Sequence, residues 1–258
     1  MIVKLDSYYN DVVIDYLEGE RDLNMFITGD IERYGYDNYF FDIWGDIDKY
    51  GNINGILVRY FTYLTFYSKG KFNISEFARK INSINYIELS GKEESLKLLY
   101  PHLKLKQIRN VTFCSLDKIK KEYSVCNNND IKKIKFGNLN KVVRLYREIE
   151  EFENIDIKNI KDNLKTGRGY CIEKNKKVIA MAKSTNESST HAMIVGVATH
   201  PNYRGNGFAT QCVVKICKEL LEEEKKPCLF YDNIDAGRIY EKIGFEKIGE
   251  WSIYYAEN

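Results

Sequence analysis

Long apolar runs, proline, histidine and any marked excess of one charge are scarce in this sequence of 258 residues. The most apolar stretch, residues 55–67, is broken by Arg59. It falls short of the roughly 18 residues a membrane-crossing helix needs, so no span and no membrane partner are expected. Three scattered histidines and six cysteines without a C-x-x-C pair offer no ligand-spaced cluster, so no metal site is expected. Cys114, Cys126, Cys171, Cys212, Cys217 and Cys228 sit mostly among apolar neighbours and read as reduced core thiols. The 39 Lys and Arg against 37 Asp and Glu leave a net charge of +2, which gives no general attraction to nucleic acid. The first residues, MIVKLDSYYNDVV, lack a basic region followed by an apolar stretch and a small-residue cleavage site, so a cytoplasmic location is expected.

What the chain has instead is core-forming material: 44% apolar residues, with 20 Tyr and 13 Phe, a composition that folds. Its length suits one large domain or two modest ones. Charge is uneven along it. Up to Asp130 there are 17 basic and 19 acidic residues; beyond it, 22 and 18. The first 50 residues alone hold 12 acidic against 4 basic, a solvated acidic face or a lure for a cationic substrate.

The polar cluster Cys126-Asn-Asn-Asn-Asp130 is the clearest seam. Before it, apolar periodicity predicts helices over 8–17, 20–33, 75–81 and 93–99. Strands are expected over 40–47, 56–67, 86–89 and 105–113. After it come a strand over 131–136, helices over 139–152 and 157–164, a hairpin of 169–173 with 178–184, and a strand over 192–199. A helix over 208–223, a short strand over 228–231, a helix over 235–243 and strand from Phe245 onward complete the chain. The two halves have nearly the same element order, which suggests two copies of one architecture, although no sequence repeat proves it.

The chemistry gathers at Ala198-Thr-His-Pro-Asn-Tyr-Arg-Gly-Asn-Gly-Phe-Ala-Thr210, between a predicted strand and a predicted helix. A glycine-rich turn there lets backbone approach a phosphate, and the first helical amides have no internal acceptor. Neither G-x-x-x-x-G-K-S/T nor G-x-G-x-x-G fits: no Gly-Lys-Ser or Gly-Lys-Thr occurs, and Thr210 stands where the third glycine would be.

Arg204-Gly-Asn-Gly-Phe-Ala209 resembles the Q/R-x-x-G-x-G/A acyl-CoA loop of the GNAT superfamily of N-acetyltransferases. Asn233-Ile-Asp-Ala236-Gly-Arg-Ile-Tyr240-Glu-Lys-Ile-Gly-Phe245 resembles that family's N-x-x-A-x-x-L/I-Y-x-x-x-G-F segment. It follows at the usual spacing, 24 positions from Ala209 to Asn233. The resemblance covers residues 131–258. It implies an α/β (α+β) fold of two GNAT-like mixed-sheet domains in tandem, each a twisted, mostly antiparallel sheet flanked by helices. Residues 1–126 would be a degenerate copy and 127–258 an acetyl-CoA-binding N-acetyltransferase domain.

The same resemblance implies a cofactor site of Val197, Thr199, Arg204, Gly205, Asn206, Gly207, Phe208, Ala209, Thr210, Asn233 and Tyr240. The Val197 N–H would polarise the acetyl carbonyl, Tyr240 would protonate the departing thiolate, and Asn233 would orient the pantetheine or the amine, or else cap the following helix. For the general base the sequence offers Glu148, Glu150, Glu151, Glu173 and His200, each of which also suits a surface or turn position. The expected activity is transfer of acetyl from acetyl-CoA to a primary amine of a small molecule or peptide. Alternatives are a non-catalytic acyl-CoA sensor or scaffold, and an aminoacyl or longer-acyl transferase. The acceptor and the oligomeric state are not written in the sequence.

Overall fold

A computed structural model describes residues 2–124, 130–152, 160 and 167–257. The chain forms two compact units, one of 1–113 with 248–258 and the other of 114–247. The sequence reading cut at the polar cluster after Cys126. The contact division falls after Phe113 and assigns the last strand to the first unit.

The first unit holds β1 (Ile2–Leu5), α1 (Asn10–Glu18), α2 (Met25–Tyr34), β2 (Phe41–Ile47), β3 (Ile53–Tyr60), β4 (Tyr63–Tyr67), α3 (Ile74–Asn82), β5 (Glu88–Lys92), α4 (Glu93–Leu99) and most of β6 (Leu105–Ser115). Its sheet follows the order β1, β2, β3, β4, β5, then the chain's final strand, then β6. Pairing is antiparallel from β1 to β4 and parallel between β4 and β5. Both faces are covered, as alternation along β3 shows: Ile56 and Val58 pack with Val13, Leu17, Ile27 and Ile31 of α1 and α2, while Leu57 packs with Phe77, Ile81, Leu96 and Leu99 of α3 and α4.

Two features of this unit differ from the sequence reading. The single strand expected over 56–67 is a hairpin, turned at Phe61 and Thr62 with Phe61 at φ 52°. Phe61 and Thr62 fill the turn, between Tyr60 and Tyr63, where glycine or asparagine usually signals one. β1 was not expected, and its Ile2–Leu5 pair with Asp46–Ile43 of β2.

The second unit holds α5 (Lys121–Ser124), β7 (Ile131–Lys133), α6 (Leu139–Arg147), β8 (Gly169–Lys174), β9 (Lys177–Thr185), β10 (His191–Thr199), α7 (Phe208–Glu222), β11 (Lys226–Tyr231) and α8 (Ile234–Ile243). β12 (Glu246–Ala256) starts here and pairs with β5 of the first unit's sheet, Trp251 opposite Lys92 through Tyr255 opposite Glu88. In the second unit the strand order is β11, β10, β9, β8, β7. α6 packs Val142, Val143 and Tyr146 against Cys171 and Met181 on one face, and α7 packs Cys212, Val213 and Ile216 against Tyr170, Ile172 and Ala182 on the other. The helix expected over 157–164 lies outside the described residues apart from Ile160. With β1 included, the first half runs β-α-α-β-β-β-α-β-α-β, and the described elements from β7 onward run β-α-β-β-β-α-β-α-β, a mixed α/β architecture of sheet flanked by helices.

Candidate functional site

The strand-to-helix turn of the second unit is built as the glycine spacing requires. After β10, Pro201–Tyr203 make one 3-10 turn, Gly205 sits at φ 78° and Gly207 at φ 70°. Those are left-handed values at which a side chain is strained. A β-carbon on either glycine would meet nothing within 4 Å, so their faces are open. Gly207 is the N-cap of α7 and, having no side chain, caps nothing. The amide of Gln211 reaches the Gly207 carbonyl at 3.1 Å. The amides of Phe208, Ala209 and Thr210 precede any intrahelical acceptor and line the open face, at the positive end of a 15-residue helix.

Side chains fix the loop and add charge. Arg204 is exposed, and its Nε lies 3.4 Å from the Thr199 carbonyl. Asn206 Nδ2 donates to the carbonyls of Tyr203 and Arg204 at 3.2 and 3.1 Å, which ties the turn to itself. The Lys174 ammonium, from the β8–β9 turn, lies 4.4 Å from the Phe208 ring centroid, a second cation beside the cradle that the motifs did not reveal. An anionic, phosphate-bearing ligand fits this arrangement: open amides, a helix N-terminus and two cations.

The first unit shows the contrast. At the corresponding step, α3 is capped by Asn73, whose side chain accepts from the Glu76 amide at 3.1 Å, and Glu76 puts a carboxylate in the first turn. A phosphate would meet a satisfied amide and a negative charge.

The strands leading to the turn also separate. β10 and β11 pair in parallel only from His191 opposite Lys226 to Met193 opposite Cys228, although β10 runs on to Thr199 and β11 to Tyr231. In the first unit the equivalent pair, β4 and β5, stays in register over four residues of a five-residue strand. On its other side β10 carries a bulge: Val195 is opposite Lys183 and Ala198 opposite Met181, three steps against two. Gly196 takes φ 59° within it. The bulge turns the Val197 backbone out of the ladder, as bulges beside binding sites do.

Tyr240 of α8 is 8% exposed and packs with Tyr231 and Phe245. Its hydroxyl has no hydrogen-bond partner among the described residues. Burial, reinforced by Cys217, pushes its pKa up to about 12, so the proton stays on through neutral pH. Asn233 caps α8: its Oδ1 accepts from the amides of Asp235 and Ala236 at 2.8 and 3.3 Å.

Of the carboxylates and histidine named from sequence, Glu173, Glu148 and His200 are engaged by partners of their own. Glu173 accepts from Lys141 at 2.7 Å and from Lys132 at 3.3 Å, and these cations hold it below the usual carboxylate range. Glu148 faces His200 Nε2 at 3.2 Å and Arg144 Nε at 3.3 Å. The other ring nitrogen of His200 accepts from the Asn202 amide at 3.1 Å, so the imidazole braces the turn. Glu150 is exposed, and the Glu151 side chain lies outside the described residues.

Lys183 of β9 escaped the sequence reading. It is 5% exposed, opposite Val195 at the start of the bulge, and burial lowers its ammonium to about 8. The visible signal was a lysine in Val178-Ile-Ala-Met-Ala-Lys183, two positions from Met181 and so on the same buried face. Among the described residues no group of three or more His, Cys, Asp or Glu could hold a metal, and no helix is long and apolar enough to cross a membrane.

A family model described as GNAT acetyltransferase matches residues 33–254. A comparison with curated proteins finds no match. Among solved structures, a tandem GNAT protein from the clavulanic acid biosynthesis pathway aligns over 100% of this chain and 98% of its own, at TM-score 0.58 and 12% identity. A GCN5-related N-acetyltransferase from Sphaerobacter thermophilus aligns over 98% and 94%, at TM-score 0.62 and 11% identity. A candidate GNAT-family acetyltransferase from Novosphingobium aromaticivorans is matched over 58% of this chain and 65% of its own length, at 18% identity and a TM-score of 0.49, too loose to carry an argument.

Proposed function

The chain belongs to the GNAT acetyltransferase family, and on that premise we propose that its second unit binds acetyl-CoA and transfers the acetyl group to a primary amine. The observation that carries this reading is the early end of the β10–β11 ladder, at Met193 and Cys228, above a glycine turn whose helix has no side-chain cap. A gap between strands suits a pantetheine arm, and an uncapped helix start suits a pyrophosphate.

Acetyl-CoA supplies an acetyl thioester whose carbonyl carbon accepts the amine. The amides from Gly205 to Thr210 hold the pyrophosphate, with Arg204 as counter-charge and Asn206 keeping the turn in shape. The side chain of Phe208 walls the cradle, and Thr199 ends the strand along which the arm lies. The Val197 N–H donates to the carbonyl oxygen as negative charge develops there, in a geometry set before the substrate arrives. As the carbon–nitrogen bond forms and the carbon–sulfur bond breaks, the Tyr240 hydroxyl gives its proton to the leaving sulfur. Asn233 holds the start of α8, and through it Tyr240; its Nδ2 remains to meet the pantetheine.

The first unit contributes no cofactor site in this reading, because Asn73 and Glu76 close its helix start. The chain is then a tandem protein with one working half. The test is to incubate it with acetyl-CoA and a mixed amine and metabolite library, reading free thiol and acetylated products by mass spectrometry. Binding of acetyl-CoA without thiol release from any amine would favour a sensor, and preference for longer acyl-CoAs in competition would favour a different acyl group.

A further inference from the structure

Lys183 is the buried lysine among the described residues. A buried charge is costly unless it is paired. The first unit obeys that rule, where Asp42 is bound by both Lys4 and Arg59. Lys183 has no carboxylate and no hydrogen-bond partner among the described residues, and only burial acts on its acidity.

Its place in the fold is specific. The stem crosses the bulge so closely that a β-carbon on Gly196 would stand 2.9 Å from Lys183 Cε. The next residue is Val197, whose N–H faces the acyl carbonyl in the function proposed above. Gly196 thus brings an amine without a counter-ion to the carbonyl end of the strand gap.

We propose that Lys183 is a self-acetylation site, its amine accepting the acetyl group from acetyl-CoA bound to the same chain. This rests on the acetyl-CoA reading and adds to it a residue of this chain as acceptor. The neutral Lys183 Nζ attacks the thioester carbonyl carbon. A carbon–nitrogen bond forms, the carbon–sulfur bond breaks with its electron pair passing to sulfur, and sulfur takes a proton from Tyr240. The surplus proton on nitrogen passes to water, and water returns one to the Tyr240 oxygen. The products are Nε-acetyl-Lys183 and free coenzyme A, with no other reactant.

Lowered to about 8, the amine is neutral in a useful fraction near neutral pH, unlike a solvated lysine. Of the described titratable groups on its side of the sheet, Tyr146 of α6 and Cys171 of β8 are raised by burial and therefore uncharged, while the Glu173 carboxylate of β8 is bound by Lys132 and by Lys141 of α6. The facing stretch of β10, Val195 to Ala198, has none. Arg168, beside the Gly169 that pairs with Lys183, is turned to Glu187 and Glu223. Acetylation would remove the cation and add bulk beside the acceptor path, so the modification would lower turnover on an external amine.

The full chain is incubated with acetyl-CoA carrying a deuterated acetyl group at pH 7, 8 and 9, with binding followed by calorimetry and occupancy of each lysine by peptide mass spectrometry. Lys183 is expected to be labelled at least about tenfold faster than the exposed Lys176 and Lys177, because it alone is held near the bound thioester. Its rate should rise from pH 7 and level off above pH 8. Lys183→Arg should lose this label while still binding acetyl-CoA. In a second arm, competitive labelling with trace acetic anhydride, which needs no cofactor site, should show Lys183 titrating below the exposed lysines. Binding of acetyl-CoA with Lys183 labelled no faster than Lys177 overturns the proposal alone. Absence of binding overturns the cofactor reading and this proposal with it.

Discussion

The Tyr146 hydroxyl donates to the carbonyl oxygen of Gly196 at 3.2 Å, and the same oxygen atom of the tyrosine occupies the space a side chain on Gly196 would need. One contact thus holds the β10 bulge from α6 and leaves no room for a side chain on Gly196 unless the tyrosine shifts.

Gly196→Ala should therefore lower unfolding free energy by about 1–3 kcal/mol, since the left-handed backbone and the collision act together. Calorimetric melting reads this as a fall in Tm. Adding Tyr146→Phe should restore part of the loss by removing the oxygen in the way. If the single variant melts with the wild type, the bulge relaxes freely and does not preset Val197.

Calorimetric titration should give one acetyl-CoA per chain, because α7 starts with bare amides at Gly207 whereas α3 is capped by Asn73 and carries Glu76 in its first turn. Arg204→Glu should weaken that single site by roughly 10- to 100-fold, about 1.4–2.8 kcal/mol, by setting a negative charge against the pyrophosphate. Two equivalents bound, or unchanged affinity in the variant, would contradict the assignment of the loop.

Tyr240→Phe should reduce turnover by about 100-fold or more while changing acetyl-CoA affinity little, as removal of a general acid does. Burial raises the Tyr240 hydroxyl to about 12, so its ionisation should not reduce the wild-type rate below about pH 11. Thiol release with an acceptor from the library measures both. Equal turnover in the two proteins would leave Tyr240 with packing alone.

Acid should weaken the second unit through Arg168, whose guanidinium binds Glu187 and Glu223. The Glu223 carboxyl is drawn down to about 2 by Arg168; burial works to raise Glu187, but Arg168 and Ser184 bring it below its ordinary value. A carboxyl depressed in the folded state stabilises above its unfolded value and loses that contribution as pH falls. Melting temperature should drop between about pH 5 and pH 2, and Arg168→Met should flatten that dependence. Parallel curves for the two proteins would show that the cluster does not set acid sensitivity.

Local signals were legible in the sequence. The glycine loop, the α7 stripe and the Asn233-to-Phe245 segment are each written in consecutive residues, and the structure places them at one strand-to-helix junction and the helix after it. What depends on pairing between distant residues was not. The early end of the β10–β11 ladder is a matter of register, and nothing within Val195-Gly-Val197 announces that three residues there oppose two of β9. The Phe61–Thr62 hairpin hid because its turn keeps the apolar character of the strands it joins. Lys183 could have been seen, since a charge at an inward strand position conflicts with the pattern around it.

The strand Glu246–Ala256 pairs with β5, and its residues from Ile248 belong to a unit whose other residues end at Phe113. During synthesis, then, the half that emerges first is the last to be completed: β5 must wait for more than a hundred further residues before its partner is made. Until then its edge is a bare template for any passing strand, which is the hazard that open edges carry. Residues 1–113 made alone should be prone to aggregate, and supplying 248–258 as a separate peptide should rescue them.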